Sequence, residues 1–290
     1  MIRHVEEIIK QPAAHWVGNG FRVSQYFPRR RPAHFFDRIS PFILLDYNAR
    51  VLFKGTQSLV GVGPHPHRGF ETVTFAFEGK VAHHDNQGNQ GVIGPGDLQW
   101  MSAGAGILHK EYHEADYAKE DRIFHMIQLW VNLPAKDKMT EPRYQPITKE
   151  EVTKRPFLGG QILIYAGIVL GEKGPAKTFS PMNIYKVELD SGATLSLEEP
   201  AHHNLALLVI EGQVSLNDDL LDNGDFALMK NEKGSFTLEG KAPSSQVFVL
   251  SGEPLNEPVI AGGPFVMNTE EELRQAYDDY NSGGFGSHDF

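Results

Sequence analysis

The stretch Gly63 to Gly79, GPHPHRGFETVTFAFEG, decides the fold. Glu71 to Phe77 is rich in β-branched and aromatic side chains, the composition of a strand, and Glu78-Gly79 closes it as a turn. Ahead of that strand stand two imidazoles, His65 and His67. In extended chain, residues i and i+2 point to one face, so both rings are offered to the same side. The pattern recurs. In the first half His67 is followed by Phe70 to Phe77, Glu78-Gly79 and Gly96-Asp97. In the second half His202-His203 is followed by Asn204 to Ile210, Glu211-Gly212 and Gly224-Asp225. A plan of strand, turn, strand, turn used twice predicts two β domains of related topology.

The remaining sequence agrees. Phe124 to Val131, Ile162 to Tyr165, Ile184 to Leu189, Leu205 to Ile210 and Val247 to Leu250 all read as strands. They are separated by Gly, Asn, Asp and Pro turns, as in a sandwich or barrel. The charged, proline-bearing segment Leu133 to Phe157 marks the expected boundary, giving domains over residues 1–135 and 136–290. One helix is expected, over Glu270 to Tyr280, capped by Asn268-Thr269 and with Leu273, Ala276 and Tyr277 on one side. Asn281 to Phe290 is rich in Gly and Ser and reads as a loose tail.

Composition narrows the chemistry. The chain has 290 residues, no cysteine, 13 histidines and a formal charge of −10. Absence of cysteine excludes disulfides, thiolate zinc sites, iron–sulfur clusters and cysteine nucleophiles. A metal would need nitrogen and oxygen ligands. The negative charge argues against direct nucleic-acid binding, and the Arg29-Arg30-Arg31 run reads as a solvated face. No apolar run reaches the roughly 18 residues of a membrane span. With no secretory signal evident at MIRHVEEIIK, the expected location is cytoplasmic. No GxGxxG after a strand, GxxxxGK[ST] or GxSxG motif is present.

The second chemical motif is His109-Lys110-Glu111, which places an imidazole and a carboxylate on one strand face. If it pairs beside the His65/His67 strand, three histidines and one glutamate converge inside a barrel. Such a set suits Fe(II), Ni, Mn, Co, Cu or Zn, and the Irving–Williams order does not choose among them. Gly and Ala in MSAGAGIL, Met101 to Leu108, are expected to let the chain approach the site closely. His83-His84, His113, His125 and His202-His203 lack a partner pair at this spacing and are read as non-ligands. Glu71 reads as structural or as a group orienting an imidazole. Arg68 is open between guarding an entrance and making a surface ion pair. Phe42, Leu45, Asp46, Phe53, Trp100, Met101, Phe124 and Met126 are candidates for lining a cavity or filling the core.

The two histidine motifs resemble those of the cupin superfamily. PFILLDY (41–47), PHPHRGFET (64–72), GDLQWMSAGAGILHKE (96–111), QLWVNLP (128–134) and EPVIAGGPFVMNTEEE (257–272) resemble, more narrowly, the pirin family. The resemblance covers about residues 20 to 285. It implies two cupin domains of double-stranded β-helix (jelly-roll) type, packed face to face, with a short C-terminal helix. It further implies one divalent metal per chain, Fe(II) first, held in the N-terminal domain by His65, His67, His109 and Glu111, while the C-terminal domain is degenerate and metal-free. Members similar to this chain act as quercetin 2,3-dioxygenases, which open a flavonol with dioxygen and release carbon monoxide; Glu111 is then the base. Others resemble iron-dependent regulatory or transcriptional cofactors that bind partner proteins without turnover. The implied ligands are therefore a flavonol-like molecule and dioxygen, with a protein partner open. The two-domain architecture favours a monomer.

Overall fold

The computed structural model describes residues 1–28 and 35–290, so the Arg29-Arg30-Arg31 run lies outside the described residues. The expected strands are present, each extended by one to three residues at its ends. Phe70–Glu78, Arg122–Asn132, Gly160–Ala166, Met182–Asp190, Asn204–Glu211 and Ser244–Gly252 cover them. No helix among the described residues is long and apolar enough to cross a membrane.

Two compact units emerge, and they interleave along the chain. One comprises Ala13–Arg31, Phe42–Lys149 and Asn256–Phe290; the other comprises Met1–Pro12, Pro32–Pro41 and Glu150–Leu255. This differs from a single cut between residues 135 and 136. The N-terminal strand Val5–Ile9 pairs antiparallel with Phe226–Met229 and so joins the second half's sheet. Arg3, fully buried, fixes that strand by donating to the carbonyls of Lys230 (2.7 Å) and His203 (2.6 Å).

The unit containing Phe42–Lys149 is a double sheet. Its seven-stranded sheet runs Arg143–Ile147, Leu98–Ser102, Phe70–Glu78, Arg122–Asn132, Phe42–Phe53, Phe21–Phe27, His15–Val17. Its four-stranded sheet runs Gly61–His67, Ile107–His113, Val81–Asp85, Gln90–Ile93. The other unit repeats the plan. Its seven-stranded sheet runs Val5–Ile9, Phe226–Met229, Asn204–Glu211, Ser244–Gly252, Met182–Asp190, Gly160–Ala166, Thr153–Phe157.

The sequence echo is reproduced at the level of single hydrogen bonds. In the first unit the Gly96 N–H donates to Ala76 O (2.8 Å), and the Ala76 N–H donates to Asp97 O (3.1 Å). In the second the Gly224 N–H donates to Val209 O (2.8 Å), and the Val209 N–H donates to Asp225 O (3.0 Å). Both turns need a left-handed glycine, Gly96 at φ 93° and Gly224 at φ 85°. What differs is the filling. The four-stranded sheet of the second unit presents Leu197, Val214, Leu216, Phe236 and Leu238, all buried in one apolar core. None of these side chains offers a metal-ligand atom.

The predicted helix is present as Glu270–Asn281, closed by a capping box in which Thr269 Oγ1 accepts from the Glu272 N–H (3.1 Å). The expectation of a loose tail after it is not met. Phe285 is buried and clusters with Leu108, Phe265 and Ala276. Aromatic side chains among the glycines are the reason: each supplies apolar area that a Gly/Ser tail lacks.

Candidate metal centre

Strand pairing brings the two chemical motifs together. Ile107–His113 lies antiparallel to Gly61–His67, with His109 directly opposite His65. On its other side the same strand pairs with Val81–Asp85, with Glu111 opposite His83. Two residues apart on a regular strand, His109 and Glu111 both turn inward; the extra residue at the register shift lies in the partner strand, between His65 and Val62. The rings of His65 and His109 are 4.2 Å apart centre to centre, and that of His67 is 4.9 Å from each. Donor atoms of His65, His67 and His109 lie within 4.8 Å of one another. So do those of His83, His109 and Glu111, making His109 the residue common to both groups.

His83 was not foreseen. Its ring stacks on Tyr144 at 4.7 Å, its Nε2 lies 3.4 Å from Asp85 Oδ2, and its Nδ1 has no hydrogen-bond partner. The available signal was the alternation Val81-x-His83-x-Asp85, three inward positions of one short strand. Reading His83 and His84 as an adjacent pair concealed it, because neighbours in a strand face opposite ways.

The imidazoles are in a form that could hold a metal. Carbonyl oxygens only accept, so His65 donates from Nδ1 to Gly63 O (2.8 Å) and His67 donates from Nδ1 to Pro264 O (3.3 Å). Each ring is thereby left with its Nε2 lone pair free. Burial drives the pKa of all three histidines down, that of His67 and His109 well below the usual range. The rings are therefore neutral, the form that binds metal. Both nitrogens of His109 are buried without a partner. An unpaired buried polar atom costs about 1–3 kcal/mol, and a divalent cation at this point would relieve that cost. The donor set therefore fits a first-row divalent ion.

Glu111 is held by three donors. Thr74 Oγ1 (3.2 Å) and Gln99 Nε2 (2.6 Å) donate to its Oε1, and Gln128 Nε2 (3.0 Å) donates to its Oε2. Tyr144 in turn donates to Gln99 Oε1 (3.1 Å). These supports were not read from sequence, since Gln and Thr are ordinary strand residues until register places them. Partners of this kind typically change metal affinity by about 10–100-fold. Replacing Gln99 by Ala is expected to weaken metal binding to that extent, measured by competition with a chelator.

Other expectations are resolved by the face each residue occupies. Glu71 lies on the opposite face of its strand from Thr74, is fully buried, and accepts from Ser102 Oγ (2.5 Å). It does not touch the histidines, so its role is structural. Of the two readings left open for Arg68, the structure shows the ion pair, with Arg68 buried and its partner Asp279 half-exposed. Arg68 donates to Ala105 O (2.6 Å) and Asp279 Oδ2 (2.7 Å), with its guanidinium over the Phe285 ring. Gly104 and Gly106 serve neighbours other than the site. A Cβ on Gly104 would meet Thr140 O at 2.1 Å, and one on Gly106 would meet the Phe285 ring at 2.8 Å. Phe53, Phe124 and Met126 belong to an apolar core with Phe21 and Val23. His113 donates to Gly20 O and accepts from Arg122, and His125 bonds Tyr47. His202, His203 and Glu253 form a third, partly exposed group outside this unit.

Residues 20–131 match the family model described as Pirin, and residues 184–286 match the one described as Pirin C-terminal cupin domain. A Pseudomonas aeruginosa protein whose provisional name is quercetin 2,3-dioxygenase is 43% identical over 273 residues, covering 93% of this chain and 94% of its own. Human pirin is 40% identical over 250 residues, 84% of this chain and 82% of the relative. The crystal structure of a quercetin 2,3-dioxygenase from Acinetobacter baumannii superposes with a TM-score of 0.94 at 41% identity, covering 99% of this chain and all of that one. Two double-sheet units, a cluster of three histidines in one of them, and family matches to both halves together show that this chain belongs to the pirin family, with two cupin-type domains.

Proposed function

We propose that this protein is a metal-dependent dioxygenase of the quercetin 2,3-dioxygenase type, opening the central ring of a flavonol with dioxygen and releasing carbon monoxide. The observation that carries the reading is the convergence of neutral, outward-unpaired imidazoles at His109 beside the anchored carboxylate of Glu111. His65, His67, His109 and Glu111 are the proposed ligands. A bound divalent ion would supply Lewis-acid and redox character at that point. Fe(II) is the first choice, with Ni, Mn, Co, Cu and Zn compatible with the same donors.

The chain's own residues do the rest. His65 and His67 are locked by the Gly63 and Pro264 carbonyls, so their Nε2 atoms need no reorganisation to bind. Thr74, Gln99 and Gln128 orient Glu111. Phe70 and Trp130, stacked at 4.2 Å beside His67, shield the cluster with apolar surface. Similarity to the Acinetobacter enzyme across the whole chain supports the substrate class.

The decisive test is aerobic incubation of the Fe-, Ni-, Mn- and Cu-loaded protein with quercetin, following loss of flavonol absorbance and release of carbon monoxide. Turnover with at least one metal is expected. Absence of turnover with all four defeats the dioxygenase reading.

A further inference from the structure

One row of side chains crosses the inner face of the seven-stranded sheet in register. Gln99 pairs with Thr74, Thr74 with Gln128, Gln128 with Asp46, and Asp46 with Gln25. Cross-strand partners share a face, so all five point into the double sheet. The first three donate to Glu111. The row then continues past Glu111 to a second carboxylate.

The order of the two sheets shows what Asp46 faces. Tyr144, on the strand beside Leu98–Ser102, stacks on His83. Glu111 sits over Gln99, Thr74 and Gln128 on the next three strands. One step further on each sheet, Gly61–His67 lies over Phe42–Phe53. Val62 packing against the cluster of Phe21 and Phe124, together with Phe53, shows the same overlay. Asp46 is thus carried by the strand under His65 and His67. In this corner the inward side chains are only half-buried: Gln25, Leu44, Gln128, Trp130 and His65. Inward residues elsewhere in the row are closed off. From this contiguous half-buried set we infer a cleft walled by Trp130 and Leu44, with the buried Asp46 at its floor.

The two carboxylates differ in occupancy. Glu111 already accepts three hydrogen bonds, whereas Asp46 accepts one, from Gln25 Nε2 at 2.9 Å. We propose that Asp46 accepts the hydroxyl proton of a planar phenolic substrate held between His65 and Trp130 in this cleft. The step balances simply. The substrate O–H bond breaks, its electron pair stays on the substrate oxygen, and the proton forms an O–H bond on an Asp46 carboxylate oxygen. Burial independently pushes the Asp46 pKa up to about 6, within reach of a proton acceptor working near neutral pH. The assignment rests on the dioxygenase reading and moves the base from Glu111 to Asp46.

The test is an anaerobic titration of the metal-loaded full chain with quercetin, read by absorbance, alongside aerobic turnover and metal content. The flavonol anion absorbs at longer wavelength than the neutral molecule. The unaltered protein is expected to show the anion band. Asp46→Asn should keep its metal and bind quercetin, show the neutral band, and turn over about 100-fold more slowly or worse. Asp46→Glu should restore both signals in part. An Asp46→Asn protein with the anion band and full turnover overturns the assignment while leaving the dioxygenase reading standing. Loss of metal in Asp46→Asn also overturns it, by making Asp46 structural. If the unaltered protein neither binds nor consumes quercetin, the dioxygenase reading falls and takes the Asp46 assignment with it.

Discussion

His109→Ala is expected to lose metal binding by at least about 100-fold, more than the loss of any supporting partner. His109 is the residue shared by both donor groups, and neither of its ring nitrogens has another partner. Its side chain therefore gives the metal-free protein no hydrogen bond and carries a desolvation cost. Removing it should leave the metal-free protein about as stable as before, or slightly more so. The loss should appear only on loading. A ligand at 100 times its Kd stabilises a fold by about 2.7 kcal/mol, a rise of several degrees in Tm. That rise should be seen in the unaltered protein and vanish in His109→Ala. His202→Ala, at the exposed member of the third group, should keep it. A full metal complement in His109→Ala would break the ligand assignment.

Glu71→Gln is expected to stabilise the protein by about 3 kcal/mol at pH 8 and to do little at pH 4.5. Burial pushes the Glu71 pKa up to about 7 from an ordinary value of 4.5, against the smaller opposing effects of Ser102, Trp100 and Arg143. A raised carboxyl favours the folded state only while protonated. Its contribution is complete below about pH 4.5 and is lost as pH rises through about 7. At 1.36 kcal/mol per unit, the difference accumulates to about 3 kcal/mol. Glutamine has the same shape and no charge, so the pH dependence should disappear from the difference between the two proteins. Urea unfolding at pH 4.5 and pH 8 measures it. A stability difference that is flat with pH would show that Glu71 ionises without penalty.

The strands and the repeat were legible because a β-branched run with a Glu-Gly turn is a local signal, and it occurs twice. That His65 and His67 share one strand face, and His109 and Glu111 another, was legible for the same reason: i, i+2 spacing lies within one strand. What register supplies was not. His83 enters the cluster because Val81–Asp85 pairs beside Ile107–His113, a fact of topology. Gln99, Thr74 and Gln128 come from three different strands and acquire meaning only as a cross-strand row. The tail was misjudged because its glycines were weighted above Phe285, whose partner Leu108 lies far away in sequence. Arg68 is buried by Asp279 for the same reason.

The Pro264 carbonyl that fixes the His67 ring comes from a residue 197 positions later in the chain. A Cβ on Gly69, in the same motif, would lie 2.0 Å from the carbonyl of Val266. The first ligand strand is therefore made early on the ribosome and finished late. Until residue 264 has been synthesised, His67 lacks the Pro264 carbonyl that accepts its Nδ1 hydrogen and sets its tautomer. On the proposed ligand assignment, metal loading at full affinity is expected only after residue 264 has been made, since a long loop must first close to bring Pro264 to His67. Nascent chains arrested before residue 264 should expose both histidines of the motif without the affinity of the completed site.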